Sequence, residues 1–319
     1  MRRILIAAAL LTITVTQPAS AQEYPSRDIK LICGFVAGSG ADIIHRFLAK
    51  QMQQIAGKPV LVENRPGAAG NIANTYVSKA KPDGYTVYPV GGASLAASVH
   101  LFKQPPVDPL NDYEPVGTVL KQGWLLVVDA KSPFKTLPEL TAYLRQKKGN
   151  ASYSTATTNG TVMGEMYKAI AGLETVQVNY KTIGDSLNDL LSGTIDFAMA
   201  DAAYSLGQIK NGRIRALAIS TPERMQSMPD IPTMAEGGVP GINLVLWTGV
   251  FVPKGTPQPI KAKLAEWIAQ LLKMPETGPF LSAIGTDPFY LTPEETGELL
   301  RREIELWRGF VRTAKIEPT

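Results

Sequence analysis

The chain has 319 residues, 45% of them hydrophobic and 19% charged, with a formal net charge of +4 at pH 7. That composition excludes a disordered chain, and the length exceeds what a single core fills efficiently, so two domains are expected. One cysteine and two histidines exclude an internal disulfide and argue against a zinc site, and no lysine or arginine run suggests nucleic acid.

Arg2-Arg3, the apolar stretch Ile4 to Val15 and Ala19-Ser20-Ala21 have the layout of a secretory signal peptide cut after Ala21. No later segment offers the roughly 18 uninterrupted apolar residues of a membrane span. With Arg2 and Arg3 gone, the chain from residue 22 carries +2 (+4 − 2). It is expected to work in the periplasm.

Ile29 to Phe35 reads as a buried strand that also buries the thiol of Cys33. The next helix carries Ile44, Phe47, Leu48, Met52 and Ile55 on one face and stops at Gly57-Lys58-Pro59. Val60 to Glu63 and Tyr85 to Val90 are strands, separated by a small-residue helix near Asn71 to Lys79 and the turn Lys81-Pro82-Asp83-Gly84. Gly91-Gly92-Ala93-Ser94 opens another helix. Trp124 to Asp129 is a strand, and Thr136-Leu137-Pro138-Glu139 is a capping box opening a helix that ends at Lys148-Gly149. Ala151 to Thr155, Val176 to Tyr180, Ile195 to Ala200 and Arg215 to Ser220 complete a second set of strands, with a helix running to Ala171. Two helices close the chain, one with Ile260, Leu264, Trp267, Ile268 and Leu271 on one face, the other capped at Thr292 and bearing Leu300, Ile304, Trp307 and Val311.

Alternating strands and helices predict an α/β fold, and the two strand sets predict two mostly parallel sheets in two domains. Residues 22–121 are expected to start domain 1, 122–224 to form domain 2, and 225–319 to return to domain 1. The crossings then fall near Leu120 to Gly123 and within Pro222 to Pro240.

Three strand-to-helix loops consist of small or hydroxylated residues: Gly38 to Ala41, Gly91 to Ser94 and Thr158 to Thr161. Ligands of open parallel sheets bind outside the carboxyl ends of the strands, where helix N-termini offer free N–H groups to an anion. Glycine lets the backbone itself approach. One such loop is equally a steric device of a tight turn; three, spread over both domains, point to a shared anion cleft. Charge-assisted hydrogen bonds of roughly 1.5–3 kcal/mol each would hold a carboxylate there without an arginine clamp.

Catalytic readings lack partners. Gly92-Ala93-Ser94-Leu95-Ala96 is a near miss to the G-x-S-x-G elbow, but His45 precedes the serine and His100 follows it with no acid between. A secreted serine hydrolase using Ser94 is therefore kept only as an alternative. Gly38-x-Gly40 lacks the third glycine of a dinucleotide fingerprint, no P-loop occurs, and no cofactor or metal is expected. Asp42 reads as a helix-start acid, Asp196 as a strand-end residue, and Asp201 as a cap or a ligand contact. Phe35 and Trp247 read as core or hinge packing, with ligand contact as the alternative. No residue is needed as a catalyst, which favours a binder.

Several longer motifs run through the chain: Tyr24-Pro25-Ser26, Val62-Glu63-Asn64-Arg65-Pro66-Gly67-Ala68-Ala69-Gly70-Asn71, Lys81-Pro82-Asp83-Gly84-Tyr85-Thr86, Asn188 to Asp196 and Gly212 to Ala218. With these the sequence resembles a periplasmic solute-binding protein of the tripartite tricarboxylate transporters, the Bug or TctC-like family. The resemblance implies a two-domain periplasmic binding protein, type II-like, that closes on a hinge around a small organic carboxylate held by loop amides, hydroxyls and bridging waters. It also implies membrane permease subunits as partners; the chain itself is expected to be monomeric and not an enzyme. The family's binding loops fall on Phe35, Val36, Ala37, Gly38, Ser39, Gly40, Ala41 and Asp42, on Gly92, Ala93 and Ser94, on Thr158, Asn159, Gly160 and Thr161, and on Asp201. The family's first loop usually reads P-F-x-P-G-G-x-x-D, and both prolines are missing here. Met163 stands where the third loop usually carries a histidine. These departures imply a wider or more apolar pocket, so an aromatic or longer-chain carboxylate competes with a small dicarboxylate. A ligand-sensing subunit for a membrane signalling protein would look the same in sequence.

Overall fold

A computed structural model describes residues 24–313 and 317–318; the expected signal segment lies outside them. The first half of the chain runs β1 (Ile29–Cys33), α1 (Gly40–Ala56), β2 (Val60–Asn64), α2 (Asn71–Ser78), β3 (Thr86–Gly91), α3 (Gly92–Leu101), α4 (Pro109–Asp112) and β4 (Tyr113–Asp129). Next come α5 (Leu137–Lys147), β5 (Ser152–Thr155), α6 (Thr158–Ala171), β6 (Val176–Asn179), α7 (Ile183–Leu191), β7 (Phe197–Asp201), α8 (Ala202–Lys210) and β8 (Ile214–Ile219). The chain returns through β9 (Val245–Pro253), α9 (Gln258–Lys273), α10 (Thr277–Ala283), β10 (Asp287–Pro288) and α11 (Pro293–Thr313).

Local chemistry accounts for the helix ends. Ser39 Oγ accepts from Asp42 N at the start of α1, and Gly57, left-handed at φ 65°, ends it with its N–H on Gln53 O. The capping box at Thr136 is formed in both directions. At α11 the Glu295 carboxylate accepts from Thr292 N at 2.9 Å while Thr292 Oγ1 accepts from Glu295 N at 3.3 Å.

The strands form one hydrogen-bonded path, β2-β1-β3-β9-β4-β7-β5-β6, with β8 and β10 also paired to β4. The outer pairs β1–β2, β1–β3, β5–β6 and β5–β7 are parallel. The centre is antiparallel, because β9 and β4 run back between them. The sheet is therefore mixed, and the two expected strand sets are joined, not separate. β4 joins them: Gly123 still faces Val245 of β9, whereas Trp124 faces Asp201 of β7.

At this crossing Ser220 is fully buried. Its N–H donates to Trp124 O at 2.9 Å, its Oγ accepts from Trp124 N at 2.9 Å and donates to Leu244 O at 2.6 Å, and its carbonyl accepts from Leu244 N at 3.0 Å. One side chain thus fastens the outgoing strand to the returning one.

One lobe buries Leu31, Val87, Val250, Leu264 and Trp267; the other buries Leu125, Val127, Leu187, Leu190 and Ala198. A third cluster, with Tyr88, Trp124, Tyr153, Phe197, Trp247 and Trp307, passes behind the crossing from one lobe to the other. α11 packs on both α3 and α6, so the last helix braces the two lobes.

Candidate functional site

β1, β3, β5 and β7 each end at the start of a helix: α1, α3, α6 and α8. The residues that begin these helices, Ser39, Gly91, Thr157 and Asp201, all line one cleft of about 350 Å³ between the lobes. Two starts come from each side. The remaining walls are Phe35, Ile44, Leu120, Trp124, Leu246 and Trp247, with Gln122, Asn159 and Thr248 as further polar groups. Among the described residues no lysine or arginine lines it. The N-terminal ends of the four helices carry partial positive charge from their peptide dipoles, which favours an anion at such a place.

The starts differ in how many amides remain free. Thr157 Oγ1 accepts from Gly160 N at 3.2 Å, and Asp201 Oδ1 accepts from Tyr204 N at 2.7 Å. No side chain caps α3. Gly92 has the steric reason that glycine often has, since a Cβ there would overlap the Trp247 ring. Ser94 is exposed at the cleft wall.

Of the residues picked from sequence, the structure gathers Phe35, Ser39, Gly40, Ala41, Ala93, Ser94, Asn159 and Asp201 around the cleft. Val36, Ala37, Gly38, Asp42, Gly92, Gly160 and Thr161 fall outside its lining, and the side chain of Thr158 lies outside what the structure describes. Asp42 is 2% exposed and works behind the first loop. Its carboxylate accepts from Gly38 N and Arg46 Nε, each at 2.8 Å, and from Asn64 Nδ2 at 2.7 Å. Burial pushes its pKa up, but these donors outweigh it and hold the carboxyl at about 2. Asn64 Nδ2 also donates to Phe35 O at 3.0 Å, so the loop is clasped from below. Gly38 takes φ +82°, which this turn requires. Gly160 packs inward: a Cβ would overlap Thr155 Oγ1 and come within 3.3 Å of Met199 O. Met163 is fully buried in the core and does not shape the cleft wall.

Sequence reasoning missed Ile44, His45, Leu120, Gln122, Trp124, Leu246 and Thr248 as cleft residues. His45 is 4% exposed; burial lowers its pKa to about 4 against the opposing pull of Asp42, so the imidazole is neutral at pH 7. His45 Nδ1 and Trp124 Nε1 are buried polar atoms of the cleft wall without a protein partner. Asp201, the one acid among the described lining residues, has its pKa raised by burial in spite of the backbone N–H groups that favour its charge. His100 is turned away, its Nε2 on Ile304 O at 2.8 Å.

A family model, the tripartite tricarboxylate transporter family receptor, matches residues 44–315. Protein BugT of Bordetella pertussis is 32% identical over 306 residues, covering 95% of this chain and 94% of that protein. Among solved structures, Rpa4515 of R. palustris with adipate is 30% identical with a TM-score of 0.82, over 93% of this chain and 100% of the other. MatC of Rhodopseudomonas palustris with bound malate is 27% identical with a TM-score of 0.75, over 90% and 100%. Motifs, overall fold and matched length agree: this chain belongs to the TctC, or Bug, family of tripartite tricarboxylate transporter receptors.

Proposed function

We propose that the protein is a periplasmic receptor that captures an organic carboxylate between its two lobes and delivers it to the membrane subunits of a tripartite transporter. Four helix starts, two from each side, facing one cleft with no lysine or arginine among its described lining residues, carry this reading. Such a cleft favours an anion through backbone dipoles, while Leu120, Trp124, Leu246 and Trp247 favour an apolar body between its polar ends. The ligand class that suits both is a longer-chain dicarboxylate or an aromatic carboxylate. The adipate and malate of the two solved relatives support the carboxylate part. Among the described residues no helix is long and apolar enough to cross a membrane. The expected leader at residues 1–21 supports export. Lobe closure about the β4 crossing would exclude water from the cleft and strengthen each amide contact.

A thermal-shift screen of residues 22–319 against aliphatic and aromatic mono-, di- and tricarboxylates tests this. A ligand at a hundred times its Kd adds about 2.7 kcal/mol of stability, a shift of several degrees. Selective stabilisation by one chain length or ring is the expected result. No shift with any carboxylate, or an equal shift with an uncharged amide of the same shape, would sink it.

A further inference from the structure

A second concavity, of about 910 Å³, lies away from the cleft, along α2 and the adjoining parts of β1 and β3. Two of the sequence motifs meet there. Arg65 and Asn71 belong to the segment Glu63 to Asn71; Lys81, Asp83 and Tyr85 belong to Lys81 to Thr86.

The groove is basic. Arg27, Lys30, Arg65, Lys79 and Lys81 line it, opposed by Asp83 and the adjoining Glu63, a net +3 (5 − 2). The chain from residue 22 carries +2 in all, so everything else sums to about −1 and the excess charge is concentrated here. The acids are already engaged: Asp83 holds Arg27 at 2.9 Å, and Glu63 holds Lys30 at 3.1 Å as well as Arg65. Lys79 and Lys81 are exposed and, among the described residues, form no ion pair. Both arginines sit over rings, with Cζ of Arg65 3.5 Å from the Tyr76 centroid and Cζ of Arg27 4.0 Å from that of Tyr85. Stacking fixes the guanidinium planes for bidentate carboxylate recognition. Arg65 Nε is buried without an acceptor.

We propose that this groove docks an acidic peptide segment of a partner protein. Its charges surround a hollow, where a flat anionic membrane has no access to Arg65, and one small anion would fill little of its volume. An extended chain with carboxylates at intervals meets both the stacked arginines and the two unpaired lysines. The site adjoins the ligand loop, because Asn64, next to Arg65, donates to Phe35 O at 3.0 Å and to Asp42 Oδ1 at 2.7 Å.

Fluorescence anisotropy with fluorescein-labelled hexaglutamate, at low and high NaCl, tests this on the purified protein. Hexaglutamate is expected to bind at low salt and weaken steeply at high salt. K79E/K81E should lose at least tenfold in affinity with an unchanged Tm, while K131E/K135E, a reversal at exposed lysines elsewhere, should lose less than twofold. Absence of binding to the unaltered protein, equal losses in both double variants, or displacement by free glutarate at matched carboxylate concentration would overturn the proposal. So would phosphatidylglycerol vesicles binding in a Lys79- and Lys81-dependent way where hexaglutamate does not. The carboxylate thermal shift reads the cleft separately, so either conclusion can fail without the other.

Discussion

Ser220→Ala tests the joint between the lobes. The hydroxyl is fully buried, accepts from Trp124 N and donates to Leu244 O, and both of those residues are buried as well. Alanine keeps the two backbone bonds made by Ser220 itself but leaves one amide and one carbonyl without their hydroxyl partner. An unsatisfied buried group costs roughly 1–3 kcal/mol, so the pair costs about 2–6 kcal/mol. At this chain length each kcal/mol lowers Tm by roughly 2–4 °C. Differential scanning calorimetry should therefore show a fall of at least several degrees. Ser94→Ala, an exposed hydroxyl at the cleft wall, is the control and should leave Tm within a degree. A Ser220→Ala variant as stable as the parent would refute the assignment of the joint to this hydroxyl.

Three further outcomes are expected. His45 is neutral in the fold with a pKa near 4, whereas an unfolded histidine titrates near 6.5. The unfolded state then binds more protons between those values, and stability falls by up to about 3 kcal/mol as pH drops from 6.5 to 4. Urea midpoints of His45→Gln should lose this slope, and a slope identical to the parent's would refute it. Gly160→Leu is expected, from sequence alone, to weaken binding with little loss of fold. The close approach of Thr155 and the Met199 carbonyl instead predicts overpacking of about 1–3 kcal/mol, visible in Tm before any ligand is added. Asp201→Asn preserves a good helix cap while removing the one negative charge of the cleft lining. Carboxylate affinity at pH 7 should rise several-fold by calorimetry, and the parent's gain in affinity on acidification should vanish; unchanged affinity would place Asp201 outside the ligand's reach.

Much of the fold was legible because its signals are local. Thr136 and Glu139 announce a helix start with two side chains, and Gly57 announces an end with one backbone conformation. The three loops were legible because the same small or hydroxylated pattern recurs between a strand and a helix, although at Gly92 and Gly160 the glycine also meets a packing need. β9 went unread although Val245–Pro253 is rich in β-branched and aromatic residues; only Trp247 within it was singled out, as core or hinge packing. β4 was read only from Trp124 onward, because the pattern of a strand that changes partners halfway has no single periodicity. Six of the twenty described lining residues come from those two strands, and Leu120, Gln122 and Leu246 stayed hidden with the unread parts. Asp42 shows the opposite limit. Its position at a helix start was plain, but only the three-dimensional placement of Arg46 and Asn64 shows that it clasps the loop from behind.

The crossing at Ser220 constrains motion as well as stability. The chain passes between lobes at Trp124 and again before Leu244, and both points are tied to the same residue. Two pins set side by side define an axis and forbid sliding. In the closure proposed above, rotation about that axis would be the soft coordinate, and α11, lying against α3 and α6, would limit its range. A jaw hung in this way would meet its opposite face in the same register on every stroke, so under the proposed function a ligand would be measured by its length at one angle and not by a loose embrace.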